Sequence, residues 1–262
     1  MSQTSLLLEG RGLSKAFPIE GGVFRHQVGS VQALRDVSFR ISKGETLAVV
    51  GGSGCGKSTL ARIISGLLPP DAGTLQWDGQ SMAGWRRLDR ARRIQMIFQD
   101  PFASLNPKLS IGTQLREVVR LAGATAAEER GRCEQLLKSV GLSGDALSHY
   151  PFQFSGGQRQ RIAIARALAM KPALLIADEP LSALDVTIQA HILELLKELK
   201  KTYALTVLFI SHDLAVVDSF ADRVIVLQNG GVVEEGPVDT LLSCPRHAHT
   251  RALLDAVPRI PD

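Results

Sequence analysis

The run Gly51-Gly52-Ser53-Gly54-Cys55-Gly56-Lys57-Ser58 constrains this chain more than any other stretch. It fits G-x-x-x-x-G-K-[ST] at every fixed position. It sits between an apolar segment, Glu45 to Val50, and an amphipathic one, Lys57 to Leu68, which Pro69-Pro70 should end. A strand, a glycine turn and a helix in that order are the context in which the pattern carries meaning. The glycines let the backbone curl until successive N–H groups face one anion. The start of the next helix adds its positive end. Lys57 supplies a point charge to the outer phosphates and Ser58 a hydroxyl to Mg²⁺. Gly51 through Ser58, with Thr59, are therefore the expected nucleotide-binding residues. Cys55 reads as a small residue tolerated in the loop, not as a redox switch.

A second acidic site completes a hydrolytic centre. Ala173 to Ala177 is a short apolar strand that runs into Asp178-Glu179. In parallel sheets ligands collect at the carboxyl ends of strands. Asp178 is expected to hold Mg²⁺ through water, and Glu179 to polarise the attacking water. Thr206 to Ile210 reads as another buried strand, followed by His212. Continuous apolar runs of this kind suit a parallel sheet covered on both faces. Thr187 to Lys201 has helical spacing, with Ile188, Ile192, Leu195, Leu196 and Leu199 on one stripe. Leu115 to Leu142 is helical in pattern and holds no strand. Val37 to Ile41 and Val224 to Leu227 are expected as antiparallel strands flanking the parallel sheet. Ile19 to Ser30 is Gly-rich and reads as a loop. Trp77 and Trp85 read as packing residues, and His191 as a surface residue. The expected class is α/β, a P-loop NTPase.

Composition excludes several other classes. The net charge of +4 is spread along the chain, and even the Arg86 to Arg93 cluster contains Asp89, as solvated helix faces do. No nucleic-acid partner is expected. Cys55, Cys133 and Cys244 are far apart, which speaks for a reducing compartment. No apolar run reaches the ~20 residues that span a bilayer, and the N-terminus lacks a signal-peptide pattern. A membrane role is therefore expected to be peripheral, through another subunit. Cys244, His247 and His249 do not assemble a metal set, since zinc takes four protein ligands or three plus water.

Phosphate loop and acidic strand fit many NTPases and kinases. Phe154-Ser155-Gly156-Gly157-Gln158-Arg159-Gln160-Arg161 narrows the choice, because it resembles the signature of ABC ATPases. The resemblance runs from about Leu7 to Val257. One departure is Phe154, where the general family has Leu; the phosphate-facing Ser155, Gly156, Gly157 and Gln158 are intact. Phe17 resembles the aromatic that stacks on adenine. Gln99 is similar to the Q-loop glutamine, a ligand of Mg²⁺ that touches the water and senses membrane subunits. Ser182-Ala183-Leu184-Asp185 resembles the D-loop at the dimer interface, so Asp185 is expected near nucleotide. His212 is similar to the switch histidine on the γ-phosphate. The resemblance implies catalysis by Glu179, His212, Gln99 and Lys57, metal contacts from Ser58, Gln99 and Asp178, and ATP with Mg²⁺ as ligands. It also implies a head-to-tail dimer. The signature would start a helix through Leu168, and a helix N-terminus with small residues is a second phosphate site. In the family it closes over ATP held by the other subunit.

Gln99-Asp100-Pro101-Phe102-Ala103-Ser104-Leu105-Asn106-Pro107 and the tail Cys244 to Leu254 resemble dipeptide, oligopeptide and nickel importer ATPases. Relatives there often carry a C-terminal iron–sulfur cysteine cluster; with Cys244 alone none is expected. The resemblance implies a single ABC ATPase domain over 1–262. A RecA-like core with an antiparallel β-subdomain spans about 5–98 and 168–240. A helical subdomain carries the signature over about 99–167, and a tail covers 241–262. The implied partners are a second ATPase subunit, identical or related, two transmembrane permease subunits and, indirectly, an extracytoplasmic substrate-binding protein. The implied place is the cytoplasmic face of the inner membrane. Gln99 to Gln114 is expected to dock a coupling helix of the membrane subunit. The rivals are a non-transport ABC ATPase acting on nucleic acid or ribosomes, a P-loop kinase and a non-catalytic binding subunit. Co-purification with membranes or with nucleic acid separates the first, and phosphate release without an acceptor the second. The third is disfavoured because every catalytic position is filled.

Overall fold

The structure is a computed structural model that describes residues 5–21, 26–100, 104–182 and 184–256. Pro101, Phe102, Ala103 and Ala183, which the sequence motifs include, lie outside them, as does the chain beyond 256. The chain forms two compact units, residues 1–85 with 208–262, and residues 86–207.

The first unit opens with an antiparallel sheet. β1 (Leu6–Gly21) pairs with β2 (His26–Ser42) on one side and β4 (Ala72–Trp77) on the other, and β4 pairs with β5 (Gln80–Ser81). Ile19 to Ser30 is therefore not simply a loop. Pro18 pairs with Ser30 and Ile19 with Gly29, and the Ile19 side chain lies across Gly29. Cross-strand pairing and β-branched residues outweigh the local glycine content there. Within the same unit β3 (Thr46–Val50), buried at every residue, runs parallel to β9 (Arg223–Gln228). β9 pairs antiparallel with β10 (Gly231–Pro237). Val224 to Leu227 thus belongs to a parallel pair as well as an antiparallel one.

α1 (Lys57–Ser65) is shorter than the expected Lys57 to Leu68. Gly66 takes a left-handed φ of 80° and its N–H bonds back to Arg62 and Ile63 carbonyls, which ends the helix before the prolines. Trp77 packs on Trp85, ring centroids 5.8 Å apart. α7 (Leu214–Phe220) precedes β9, and α8 (Val238–Ser243) and α9 (Ala248–Asp255) follow β10.

In the second unit α2 (Arg87–Arg93) leads into β6 (Ile94–Ile97), which runs parallel to β7 (Leu174–Asp178) from Ile94 opposite Leu174 to Ile97 opposite Ala177. Between them lie α3 (Ile111–Leu121), α4 (Glu129–Ser139), two short 3₁₀ turns (Gly144–Ser148 and Pro151–Gln153) and α5 (Gly156–Leu168). Leu105, Ile111, Leu115, Val119, Cys133, Leu137 and Ile162 close one apolar core among these helices. α6 (Val186–Thr202) follows, with Ile192, Leu195, Leu196 and Leu199 buried as their spacing required. β8 (Thr206–Ile210) carries the chain from the second unit into the first.

Candidate functional site

In the first unit the glycine run forms a tight loop between β3 and α1. Gly51 and Gly56 take φ values of 150° and 111°. A Cβ at Gly51 would lie 2.3 Å from the Leu227 carbonyl oxygen, and one at Gly56 2.3 Å from that of Ala33. Only glycine satisfies both the backbone angles and the space. Gly56 is also the N-cap of α1, which has no side-chain cap and no acid in its first turn. No acid in that turn offsets the positive end of the helix, which favours an anion there. Lys57 is 6% exposed, and its Nζ donates to the carbonyls of Gly51 (2.8 Å) and Gly52 (3.0 Å). The loop thus holds the ammonium inside its own arc. Ser58 and Thr59 follow in the first turn, half-buried.

Two more expected residues lie in this unit. Phe17 is 39% exposed on β1, opposite Val31, with Lys15 Nζ 5.9 Å from its ring centroid. That distance is in the range of a cation–π contact. His212 is exposed just past the carboxyl end of β8. Its neighbours are locked: Ser211 Oγ accepts from the Asp213 N–H at 3.0 Å, and Asp213 caps α7 through Ala215 and Val216. The imidazole therefore stands on a fixed stretch of backbone.

The second unit brings together Asp178, Glu179 and Gln99. Asp178, 5% exposed, ends β7. Glu179 takes a left-handed φ of 47°, which costs a non-glycine residue roughly 1–3 kcal/mol and marks functional positions. That turn lets adjacent strand-end carboxylates leave the alternation that would send them to opposite faces. Gln99 Nε2 donates to Glu179 Oε2 at 3.3 Å. The Glu179 carbonyl accepts from the Ser182 hydroxyl (3.1 Å) and N–H (3.3 Å), so the D-loop pins the turn that carries Glu179. The sequence reading missed this role of Ser182. Its signal is a Ser three residues past the acid, the spacing of a local hydroxyl-to-carbonyl bond. Asp185 is the N-cap of α6, exposed and without a side-chain cap bond.

The signature starts α5 as expected. Ser155 Oγ accepts from the Gln158 N–H (3.3 Å) and Gln158 Oε1 accepts from the Ser155 N–H (3.0 Å), a capping box. The two glycines differ. A Cβ at Gly156 would only touch Leu184, at 3.5 Å, whereas one at Gly157 would press on Ile188 Cγ2 at 2.6 Å. Gly157 is needed for α5 to meet α6. Arg159, which the sequence reading gave no role, donates to the Pro151 carbonyl at 2.7 Å and braces the turn before the signature.

Among the described residues no helix is long and apolar enough to cross a membrane. The family described as ABC transporter matches residues 34–182. A probable peptide ABC transporter ATP-binding protein of Sinorhizobium fredii is 48% identical over 98% of this chain and 73% of its own. The di/tripeptide transport ATP-binding protein DppF of Pseudomonas aeruginosa is 46% identical over 97% of this chain and 80% of its own. An ATP-binding cassette solved as a dimer in a post-hydrolysis state with ADP and Pi is 31% identical and superposes with a TM-score of 0.76 over 88% of this chain and 99% of that one. With its phosphate loop, acidic strand end and capped signature in place, this chain belongs to the ABC transporter family.

Proposed function

We propose that this chain is the ATP-binding and ATP-hydrolysing subunit of a peptide importer. The carrying observation is the Gln99–Glu179 bond beside buried Asp178, in a chain that also has a complete phosphate loop. Peptide transport is the role named for the relatives at 46–48% identity; nickel, which the sequence resemblance left open, is not named for them.

The chemistry follows from charge placement. Lys57 and the N–H groups of the loop bind the β- and γ-phosphates, the positions where negative charge is densest. Glu179 accepts a proton from water as the water oxygen attacks the γ-phosphorus. The bond to the bridging oxygen breaks and ADP leaves with that electron pair. Gln99 orients the same water through its bond to Glu179, and His212 contacts the γ-phosphate. The donor set fits Mg²⁺. Ser58 hydroxyl, the amide oxygen of Gln99, whose nitrogen is turned to Glu179, and, through water, the Asp178 carboxylate would supply hard oxygen donors. The metal would neutralise phosphate charge there. Phe17 supplies a face for adenine.

The chain has two phosphate cradles, the P-loop and the start of α5, where one nucleotide held by one subunit uses only the first. A second ATPase subunit, identical or related, supplies ATP to Ser155, Gly156, Gly157 and Gln158, with Asp185 at the same interface. Two permease subunits dock on the segment from Gln99 to Gln114, a peptide-binding protein delivers cargo outside, and the chain sits peripherally on the cytoplasmic face of the inner membrane. The test is phosphate release by the assembled transporter in proteoliposomes. Peptide with its binding protein should raise the rate and drive uptake. Hydrolysis that ignores peptide, in a complex that purifies with nucleic acid, would overturn the reading. Cysteines placed at Ser104 or Lys108 should crosslink to the permeases; no crosslink in a working assembly removes the docking assignment.

A further inference from the structure

The signature helix is held at both ends by side chains, and the two ends are held to different things. At its start Ser155 and Gln158 cap each other, which fixes the first N–H groups of the helix. In its last turn Arg166 Nη1 donates to the carbonyl of Ser104. The helix rises 1.5 Å per residue, so these points are roughly 16 Å apart on one rigid rod.

The loop that begins at Ser104 is built to receive that bond. Gln114, 5% exposed, reaches back from α3 to accept from the Asn106 N–H (2.9 Å). It also donates to the carbonyls of Asn106 (3.0 Å) and Leu109 (3.0 Å). Leu105 is buried in the helical core with Ile162 of α5. Ser104 through Leu109 is therefore a preformed platform, bordering a concavity of about 590 Å³ that Glu117, Leu121 and Arg166 also line. Arg166 is half-buried, and burial pulls its guanidinium below the ordinary arginine range while Glu117 opposes the shift. A partly desolvated charge spent on a main-chain carbonyl is a costly way to hold a helix that apolar residues could hold. Its distinct property is reach and direction: the planar fork ties one chosen atom of the loop to one helix.

We propose that Arg166 is a positioning residue that ties the Ser104 loop to the signature helix, so that displacement of the loop moves the phosphate-contacting start of α5, and nucleotide at that start moves the loop. This rests on the reading that Ser155 to Gly157 contact the second subunit's ATP. Coupling of this kind is reciprocal, so it can be read from the nucleotide side.

The experiment uses Glu179→Gln protein with its ATPase partner present, follows dimer formation by size-exclusion, and measures hydrogen exchange of residues 104–110 with and without ATP–Mg²⁺. ATP should slow exchange of the loop several-fold. Arg166→Met should still dimerise with ATP yet lose the loop's response, and Arg166→Lys, which keeps charge but not the fork, should recover only part of it. Gln114→Leu should raise loop exchange in both states and leave the ATP-dependent difference, because the tie to α5 remains. A full response in Arg166→Met, or in Arg166→Lys should Arg166→Met not fold, overturns the proposal. A response lost in Gln114→Leu and kept in Arg166→Met does so as well, as does an unsubstituted loop that ignores ATP. If no ATP-bound dimer forms at all, the signature reading falls and takes the proposal with it; a dimer whose loop is indifferent to Arg166 sinks the proposal alone.

Discussion

At the scale of single residues, adjacent positions in one motif do different work. Gly156 and Gly157 look equivalent in the sequence, but only Gly157 lies against Ile188. Gly157→Ala forces a methyl group onto the stiff β-branched Ile188, and thermal or denaturant unfolding should show a loss of about 1–3 kcal/mol. Gly156→Ala makes only ordinary contact with Leu184, so stability should hold while hydrolysis falls, because on the proposed function the methyl stands where phosphate approaches the helix. Equal stability losses in the two variants would contradict this division. Glu179→Gln keeps the side chain's shape and its room beside Gln99 but cannot take a proton at neutral pH. ATP binding should persist and phosphate release should fall by at least about 10²-fold, the usual range for a general base. A native rate in single-turnover assays would assign the base elsewhere.

At the scale of elements, helix ends carry the function and also report on it. Ser155→Ala removes one half of the capping box, and α5 should lose about 0.5–2 kcal/mol in denaturant unfolding. Hydrolysis should drop further than stability explains, since on the proposed function the same N–H groups face phosphate. The tail offers a pH test. Glu234 on β10 accepts from the N–H groups of Arg246 (2.8 Å) and His247 (3.0 Å) and from Thr250 Oγ1 (2.5 Å), clasping the start of α9. Burial pushes its carboxyl up. The Thr250 hydroxyl, the two N–H donors and the charge of His247 outweigh that and leave it below its usual 4.5. A depressed carboxylate stabilises the fold above its unfolded value and loses that contribution as pH falls through the folded one. Amides of 246–250 should therefore stay protected at pH 6 and open as pH drops below about 4.5, the unfolded value. Glu234→Gln, which still accepts hydrogen bonds, should flatten that dependence.

At the scale of the whole molecule, the proposed function makes the chain one half of an ATPase pair. Lys57→Ala deprives the phosphate loop of its only side-chain cation, and ATP binding or turnover should vanish; near-normal turnover would remove the loop's assignment. Size-exclusion of Glu179→Gln should show an ATP–Mg²⁺-dependent shift from monomer to dimer if the chain pairs with itself, and the shift should need the related subunit if it does not. Much of this was legible from sequence. The phosphate loop was, because two glycines, a lysine and a serine at fixed spacing call for a tight turn between strand and helix, and Gly51 and Gly56 take the positive φ values that such a turn needs. The buried strands were, because their apolar runs leave no solvated face. The start of α5 at the signature was expected too, though not the capping box that fixes it. Local rules failed where pairing partners are distant in sequence. The strands on either side of Ile19 and Gly29 hold each other against the local glycine signal, and Gly66 stops α1 ahead of the prolines that seemed to. The pressure of Ile188 on Gly157 and the tie from Arg166 to Ser104 were decided by tertiary structure alone. Sequence spacing fixes which groups a segment presents, but packing in three dimensions chooses which of them meet.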